Sequence, residues 1–332
     1  MRVFRVKILV TGAGAVLGQG IMKSLRQSKL DCAIIATDPN PLSSGLYWAD
    51  QAYRIPMATA PFYMDRMIEL IDRERPHAVL VGTDVELFHF AEHRPKLEQA
   101  FGTHVLVSDP RVVGIADDKY ETYRFMAEAG LDPPHSALPE DAEALRDLIE
   151  RVGFPLVVKP RVGARSAGVS VVRDRNELAQ ALAGRTGLVV QECVGDDQSE
   201  FTASVLVFDG KPQASIVMRR DLRDGNTYRA YTGDYEALNA VVRDWGEALQ
   251  PYGPANFQFR LDRNGKPRVF EINARFSGTT PFRAMAGFNE VEMCLRKLLS
   301  DEPIVQPEIR PGVILRHWEE MFVAQDSIDA VL

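Results

Sequence analysis

Cysteine is scarce in this chain: Cys32, Cys193 and Cys294 are the only three among 332 residues, far apart and odd in number. That argues against a disulfide framework or a cysteine-based zinc cluster and points to a reducing, cytoplasmic setting. Long hydrophobic runs are missing as well. No stretch approaches the roughly 18–20 apolar residues that cross a bilayer, so no membrane partner is expected. The opening "MRVFRVKILV" lacks the apolar core and small-residue cleavage site of a signal peptide, and reads as a first strand. Nor is there a basic stripe. With 39 Lys and Arg against 46 Asp and Glu the net charge is −7, which speaks against nucleic acid as a partner. Internal repeats and low-complexity segments are absent too.

What is present is the composition of an ordinary globular protein, in a chain longer than one compact core usually holds; two or three domains are expected. Up to about residue 107, the apolar runs "KILV", "AIIATD", "AVLVGTD" and "HVLVSD" alternate with amphipathic stretches at 62–75 and 86–99. That alternation predicts a parallel sheet with helices on both faces. Asp38, Asp84 and Asp109 end their strands at the edge where such sheets bind ligands. A single helix is expected over 117–129, closed by Gly130, and "LDPPHSALPED" reads as a linker. A second style then begins, with strand "PLVVKP", a glycine-rich loop, strand "VSVV", a helix at 176–182 and strand "GLVVQE". Beyond it come a hairpin turning at "DGK", a helix at 235–250, a second hairpin turning at "DRNG", and helices near Arg283 and at 290–299. The expected fold class is α/β followed by α+β, with domains at 1–111, 112–192 and 193–332.

The stretch "VTGAGAVLGQG" raises a question of its own. A dinucleotide-binding turn needs Gly-x-Gly-x-x-Gly, each glycine for a steric reason. Gly12 and Gly14 fit, but residue 17 is Leu and Gly18 comes one position late. The favoured reading is that these glycines let the first helix pack on the sheet. The alternative, an NAD-dependent oxidoreductase, rests on this turn alone.

A richer set lies downstream. "DDKY" places Lys119 at the head of a helix, and "PLVVKP" places Lys159 after four apolar residues, where a lysine is awkward as core. "PRVGARSAGV" supplies Gly163, Ser166 and Gly168, with backbone able to wrap phosphate oxygens. "VVQECV" carries Gln191, Glu192 and Val194, and Glu200 opens the next strand. "NFQF" and "FEINARF" put Gln258, Glu271, Asn273 and Arg275 on paired strands, with Glu271 and Asn273 two apart and so on one face.

Taken in this order, the chain resembles the ATP-grasp superfamily, and within it the carbamoyl-phosphate-synthase-like branch, over nearly its whole length. The resemblance implies an N-terminal Rossmann-like pre-ATP-grasp domain that does not bind NAD, followed by the two ATP-grasp subdomains that clamp ATP. It implies Lys119 and Lys159 at the phosphates, Gln191, Glu192 and Val194 around adenine, and Glu200 on the ribose hydroxyls. Gln258, Glu271 and Asn273 would hold Mg²⁺, with Mn²⁺ as a substitute, and Arg275 would stabilise the phosphoryl group in flight. Magnesium prefers hard oxygen ligands and takes one or two carboxylates plus phosphate oxygens, which suits this set.

The implied reaction is ATP-dependent joining of a carboxylate to an amine or ammonia through an acylphosphate, with release of ADP and phosphate. The substrates expected are a small metabolite, an amino acid or a polysaccharide sugar acid; a homodimer is compatible with the sequence. The segment 217–236 reads either as a lid, with Arg219 or Arg220 facing phosphate or a substrate carboxylate, or as a solvated hairpin loop. Ser277, Gly278 and Thr279 would border the acceptor, and Arg316 would contact substrate. A non-catalytic ATP-binding relative remains the second reading.

Overall fold

The computed structural model describes residues 5–163 and 167–331. Five parallel strands, β1 (Val6–Val10), β2 (Cys32–Asp38), β3 (Gln51–Arg54), β4 (Ala78–Leu80) and β5 (His104–Leu106), form the first sheet in the order β3-β2-β1-β4-β5. Along β1 the side chains alternate. Ile8 and Val10 pack under helix α1 (Val16–Arg26), while Leu9 faces α2 (Tyr63–Glu74) and α3 (Leu87–Phe101). Helix α2 buries Tyr63, Met64, Met67, Leu70 and Ile71, the recurrence of a helix with one apolar face.

The opening glycines are packing devices. Gly12 has φ of 58°, and a Cβ there would lie 2.3 Å from Thr83 Cγ2. A Cβ on Gly18 would lie 2.2 Å from the carbonyl oxygen of Gly12, so the late glycine is the one on which α1 closes against its own turn. The Gly14 N–H donates to Asp38 at 2.6 Å, and the same carboxylate accepts from Ser43 Oγ at 2.7 Å.

The helix expected over 117–129 is α5 (Lys119–Glu128), and a helix not foreseen from the sequence, α4 (Pro110–Asp117), precedes it. Asp109 caps α4, with Pro110 pre-set for its first turn, and Asp118 leaves helical geometry to accept from Tyr120 and Glu121 N–H. The capping aspartate thus separates the two helices. Within the expected linker, residues 136–137 pair as a short strand. The small sheet is antiparallel, made of β6 (Ser136–Ala137), β7 (Leu156–Pro160), β8 (Ser170–Val172) and β9 (Leu188–Glu192) in the order β6-β9-β7-β8. Helices α6 (Ala142–Val152) and α7 (Arg175–Leu182) cover it, giving a core of its own around Leu148, Leu156, Val158, Leu178 and Val190.

The large sheet contains β10 (Glu200–Phe208), β11 (Lys211–Arg223), β12 (Asn226–Thr232), β13 (Gly253–Leu261), β14 (Pro267–Asn273) and β15 (Gly312–Leu315), in the order β14-β13-β10-β11-β12-β15. All nine residues of β10 are buried because the sheet is covered on both faces. Helix α8 (Glu236–Leu249) covers one face through Val242, Trp245 and Leu249. Helices α9 (Thr280–Met285) and α10 (Glu290–Ser300) lie on the other, where Leu206, Ile216 and Met218 share a core with α1. The first domain and the large sheet are therefore packed through one core, whereas the small sheet is packed separately. Segment 217–236 is the end of β11, a tight turn at Asp224 and Gly225 (φ 52° and 70°), and β12, so most of it is sheet. The tail ends in α11 (Gln325–Asp329). Among the described residues no helix is long and apolar enough to cross a membrane.

Candidate active site

The small sheet faces the large one across a cleft of about 230 Å³. Lys159, near the end of β7, is 5% exposed; its ammonium donates to Gln191 Oε1 at 2.8 Å and to the Phe270 carbonyl at 3.2 Å. Burial pushes its pKa down to about 7, against the pull of Glu271 and with the help of Lys119 and Arg260. Lys119 opens α5, and its ammonium donates to the Gly163 carbonyl at 2.8 Å. Both lysines border the cleft with Gly163, as do Gln191, Glu192 and Val194.

Two of these residues do more with their side chains than sequence reading foresaw. Gln191 links Lys159 to Ser136 Oγ, to which its Nε2 donates at 2.9 Å. Glu192 accepts from the His135 N–H at 3.0 Å and from Arg268 at 3.1 Å. Gly168 turns beside Pro160, with its carbonyl accepting from Arg185, and does not border the cleft. Ser166 lies outside the described residues.

On the opposite wall, Glu200 is buried and accepts from Arg220 at 2.7 Å and Arg260 at 2.7 Å. From Arg220 a hydrogen-bonded row runs along the strands. Arg220 donates to Gln258 at 2.6 Å, Gln258 to Glu271 at 2.9 Å, Asn273 to Glu271 at 3.1 Å, and Arg275 to Asn273 at 2.7 Å. Cross-strand register produces most of this row: Gln258 sits directly opposite Glu271, Glu271 and Asn273 share one face of β14, and Arg275 joins from just past the strand's end. Arg275 then crosses to the first domain and donates to Asp84 at 2.6 Å. The oxygen donors are one carboxylate and two amides. That is a hard set that fits Mg²⁺ once nucleotide oxygens join it, and a weak one without them.

A second cavity of about 540 Å³ continues from the first, sharing Lys119, Arg220, Gln258 and Glu271 on its wall. It opens between the ends of the parallel strands, at Thr83 and Asp84, and the loop of Ser277, Gly278 and Thr279. Arg316 also reaches it. Arg219 does not. Successive strand residues point to opposite faces, so Arg220 enters the cleft while Arg219 stacks 3.7 Å from the Tyr231 ring and pairs with Asp221 at 3.0 Å.

Sequence reasoning missed Arg260 and Asp117. Arg260 follows Gln258 by two positions, a signal that was there to read. Asp117 is half-buried on the second cavity; burial and the neighbouring Asp84 push its carboxyl pKa up. Only the tertiary fold brings Asp84 near it.

Comparison with known proteins adds family context. Residues 8–106 match the family described as PylC-like, N-terminal domain; 116–236 match the RimK-like ATP-grasp domain; 186–321 match the ATP-grasp in the biosynthetic pathway with Ter operon. The carbamoyl phosphate synthase large chain of Methanosarcina mazei is 25% identical over 309 residues, covering 84% of this chain but 28% of its own length. Among solved structures, the biotin carboxylase domain of Hydrogenobacter thermophilus 2-oxoglutarate carboxylase, in complex with MgADP, ADP and bicarbonate, aligns with a TM-score of 0.71 at 18% identity, over 92% of this chain and 73% of that one. The L-amino acid ligase from Bacillus licheniformis aligns with a TM-score of 0.66 at 20% identity, over 91% and 75%. Those two likenesses speak for the fold, and the sequence matches name it. Behind a PylC-like N-terminal domain, the chain thus carries ATP-grasp domains.

Proposed function

We propose that this protein is an ATP- and Mg²⁺-dependent ligase that joins a carboxylate to an amine or ammonia through an acylphosphate. The observation that carries the reading is the row Gln258–Glu271–Asn273–Arg275, which begins at two residues shared by both cavities and continues along the wall of the larger one. In this reading the smaller cavity takes the adenosine end of ATP, with Gln191, Glu192 and Val194 around the base. Glu200, already an acceptor for two arginines, takes the ribose hydroxyls. Lys119 and Lys159 meet phosphate oxygens from the small sheet while Arg220 meets them from the large one. Glu271, with the amide oxygens of Gln258 and Asn273, holds Mg²⁺, which when bound neutralises charge on the phosphates.

The larger cavity takes the carboxylate substrate. One of its oxygens bonds to the γ-phosphorus as the bond from that phosphorus to the β–γ bridging oxygen breaks, and ADP leaves. The amine nitrogen then bonds to the acyl carbon, the acyl carbon–oxygen bond breaks, phosphate leaves, and the surplus proton on nitrogen passes to solvent. Arg275, anchored by Asp84 and Asn273, lines the larger cavity, where it stabilises the phosphoryl group between donor and acceptor. No nucleophilic side chain is required, because positioning and charge stabilisation do the work. Amino acids, small metabolites and sugar acids are the substrate classes to try. The test is ³¹P NMR of reactions over a panel of carboxylate and amine pairs. ADP and phosphate are expected, and AMP with pyrophosphate would contradict the route.

A further inference from the structure

Arg316 follows the edge strand β15, and its backbone N–H donates to the Tyr228 carbonyl at 3.0 Å, which ties the tail beside β12. Its guanidinium lies 4.9 Å over the Phe282 ring and donates from Nη2 to the Gly278 carbonyl. The other arginines that line the two cavities have acidic partners: Arg220 and Arg260 share Glu200, and Arg275 has Asp84. Among the described residues, Arg316 has no Asp or Glu within ion-pair distance, and the Gly278 carbonyl is the one hydrogen-bond acceptor its side chain meets. Burial holds its pKa below the usual arginine value with no carboxylate to offset it.

The place it occupies is shaped for a ligand. A Cβ on Gly278 would lie 3.1 Å from Val16, so the loop carrying Arg316's anchor closes on the start of α1. Val16, Leu17, Val85 and Phe88 give the same cavity an apolar wall. A guanidinium with free donors in a partly desolvated, mostly apolar site is stabilised by an incoming anion, and its fork fits a carboxylate. One uncompensated cation matches a monoanion better than a phosphate dianion.

Resting on the reading of this cavity as the substrate site, we propose that Arg316 binds a carboxylate that is not the one activated. The substrate pair then includes a compound with a free carboxylate. Either the amine partner is an amino acid, or the activated partner is a dicarboxylic acid.

Isothermal titration in the presence of Mg²⁺ and a non-hydrolysable ATP analogue tests this. The probes are the proteinogenic L-amino acids and the straight-chain dicarboxylic acids from malonic to adipic, each beside its primary amide. At least one acid should bind, its amide about 10- to 100-fold more weakly, as expected for losing charge-assisted hydrogen bonds. Arg316→Met should show a similar loss for the acid, and Arg316→Lys a partial recovery. Binding confined to amino acids assigns the carboxylate to the amine partner; binding confined to dicarboxylic acids assigns it to the activated partner. The proposal is overturned if Arg316→Met leaves binding unchanged, if amides bind as well as acids, or if no acid binds while the nucleotide analogue still raises the melting temperature. If the analogue itself fails to stabilise the wild-type protein, the ligase reading falls and this proposal with it. Thermal melts of both variants should match wild type, since the side chain holds one carbonyl at a half-exposed site.

Discussion

Lys159 is a buried ammonium whose pKa has been pushed from an ordinary 10.5 down to about 7, so at pH 8 the free protein holds it mostly neutral. In the proposed function the triphosphate arrives beside this group, and phosphate oxygens favour the charged form. Binding ATP at pH 8 should therefore take up about 0.9 proton, the neutral fraction of a group titrating one unit lower. ATP is itself deprotonated at that pH and contributes none. The same linkage makes apparent affinity fall by about tenfold per pH unit above pH 7. Calorimetric titration of Mg-ATP in buffers of different ionisation enthalpy reads the uptake directly. Lys159→Met, which keeps the volume and removes the titrating group, should abolish it. Absence of uptake in the wild-type protein, or uptake unchanged in Lys159→Met, would refute the placement of Lys159 at the phosphates. The sign of the accompanying stability effect is fixed too. The unfolded chain keeps the proton up to about pH 10.5 while the folded protein releases it near 7, so this group's contribution to stability rises with pH between those values.

Two further outcomes separate catalysis from folding. Glu271→Gln removes the one full negative charge among the proposed Mg²⁺ ligands, and kcat should fall by about 10²–10³-fold with little change in melting temperature, checked by coupled ADP release and circular dichroism. Glu290→Gln should do the opposite kind of damage. Glu290 and Arg283 are fully buried, 3.0 Å apart, with Ser204 and Thr280 hydroxyls also donating to the carboxylate. Leaving Arg283 uncompensated should cost about 3–5 kcal/mol in a denaturant titration.

Much of the site was legible because strand chemistry is local. A lysine after four apolar residues announces that something must receive its charge, and Lys159 does end in a cleft with Gln191 and a backbone carbonyl as partners. The period of two placed Glu271 and Asn273 on one face, and the "DRNG" turn brought Gln258 opposite Glu271. The same period, applied to Arg219 and Arg220, allows only one of them to face the cleft. The sheet supplies the choice, because it takes Glu200 on the neighbouring strand to draw Arg220 inward. Pairings between distant segments had no local signal. Arg275 meets Asp84 across 191 positions, and Lys159 meets Phe270 across 111. In the fold, helix α6 was overlooked although Asp141 caps it and Leu148 anchors its buried face. Its proline-rich lead-in resembles linker, although Leu145, Leu148, Ile149 and Val152 give the helix a clear apolar stripe.

The central claim is that a substrate carboxylate attacks the γ-phosphorus of ATP, and isotope transfer tests it most directly. With the carboxylate oxygens of the productive substrate labelled with ¹⁸O, phosphate released after amide formation should carry one labelled oxygen, read as an isotope shift in the ³¹P NMR signal. Phosphate free of label, or label appearing in AMP, would contradict the account.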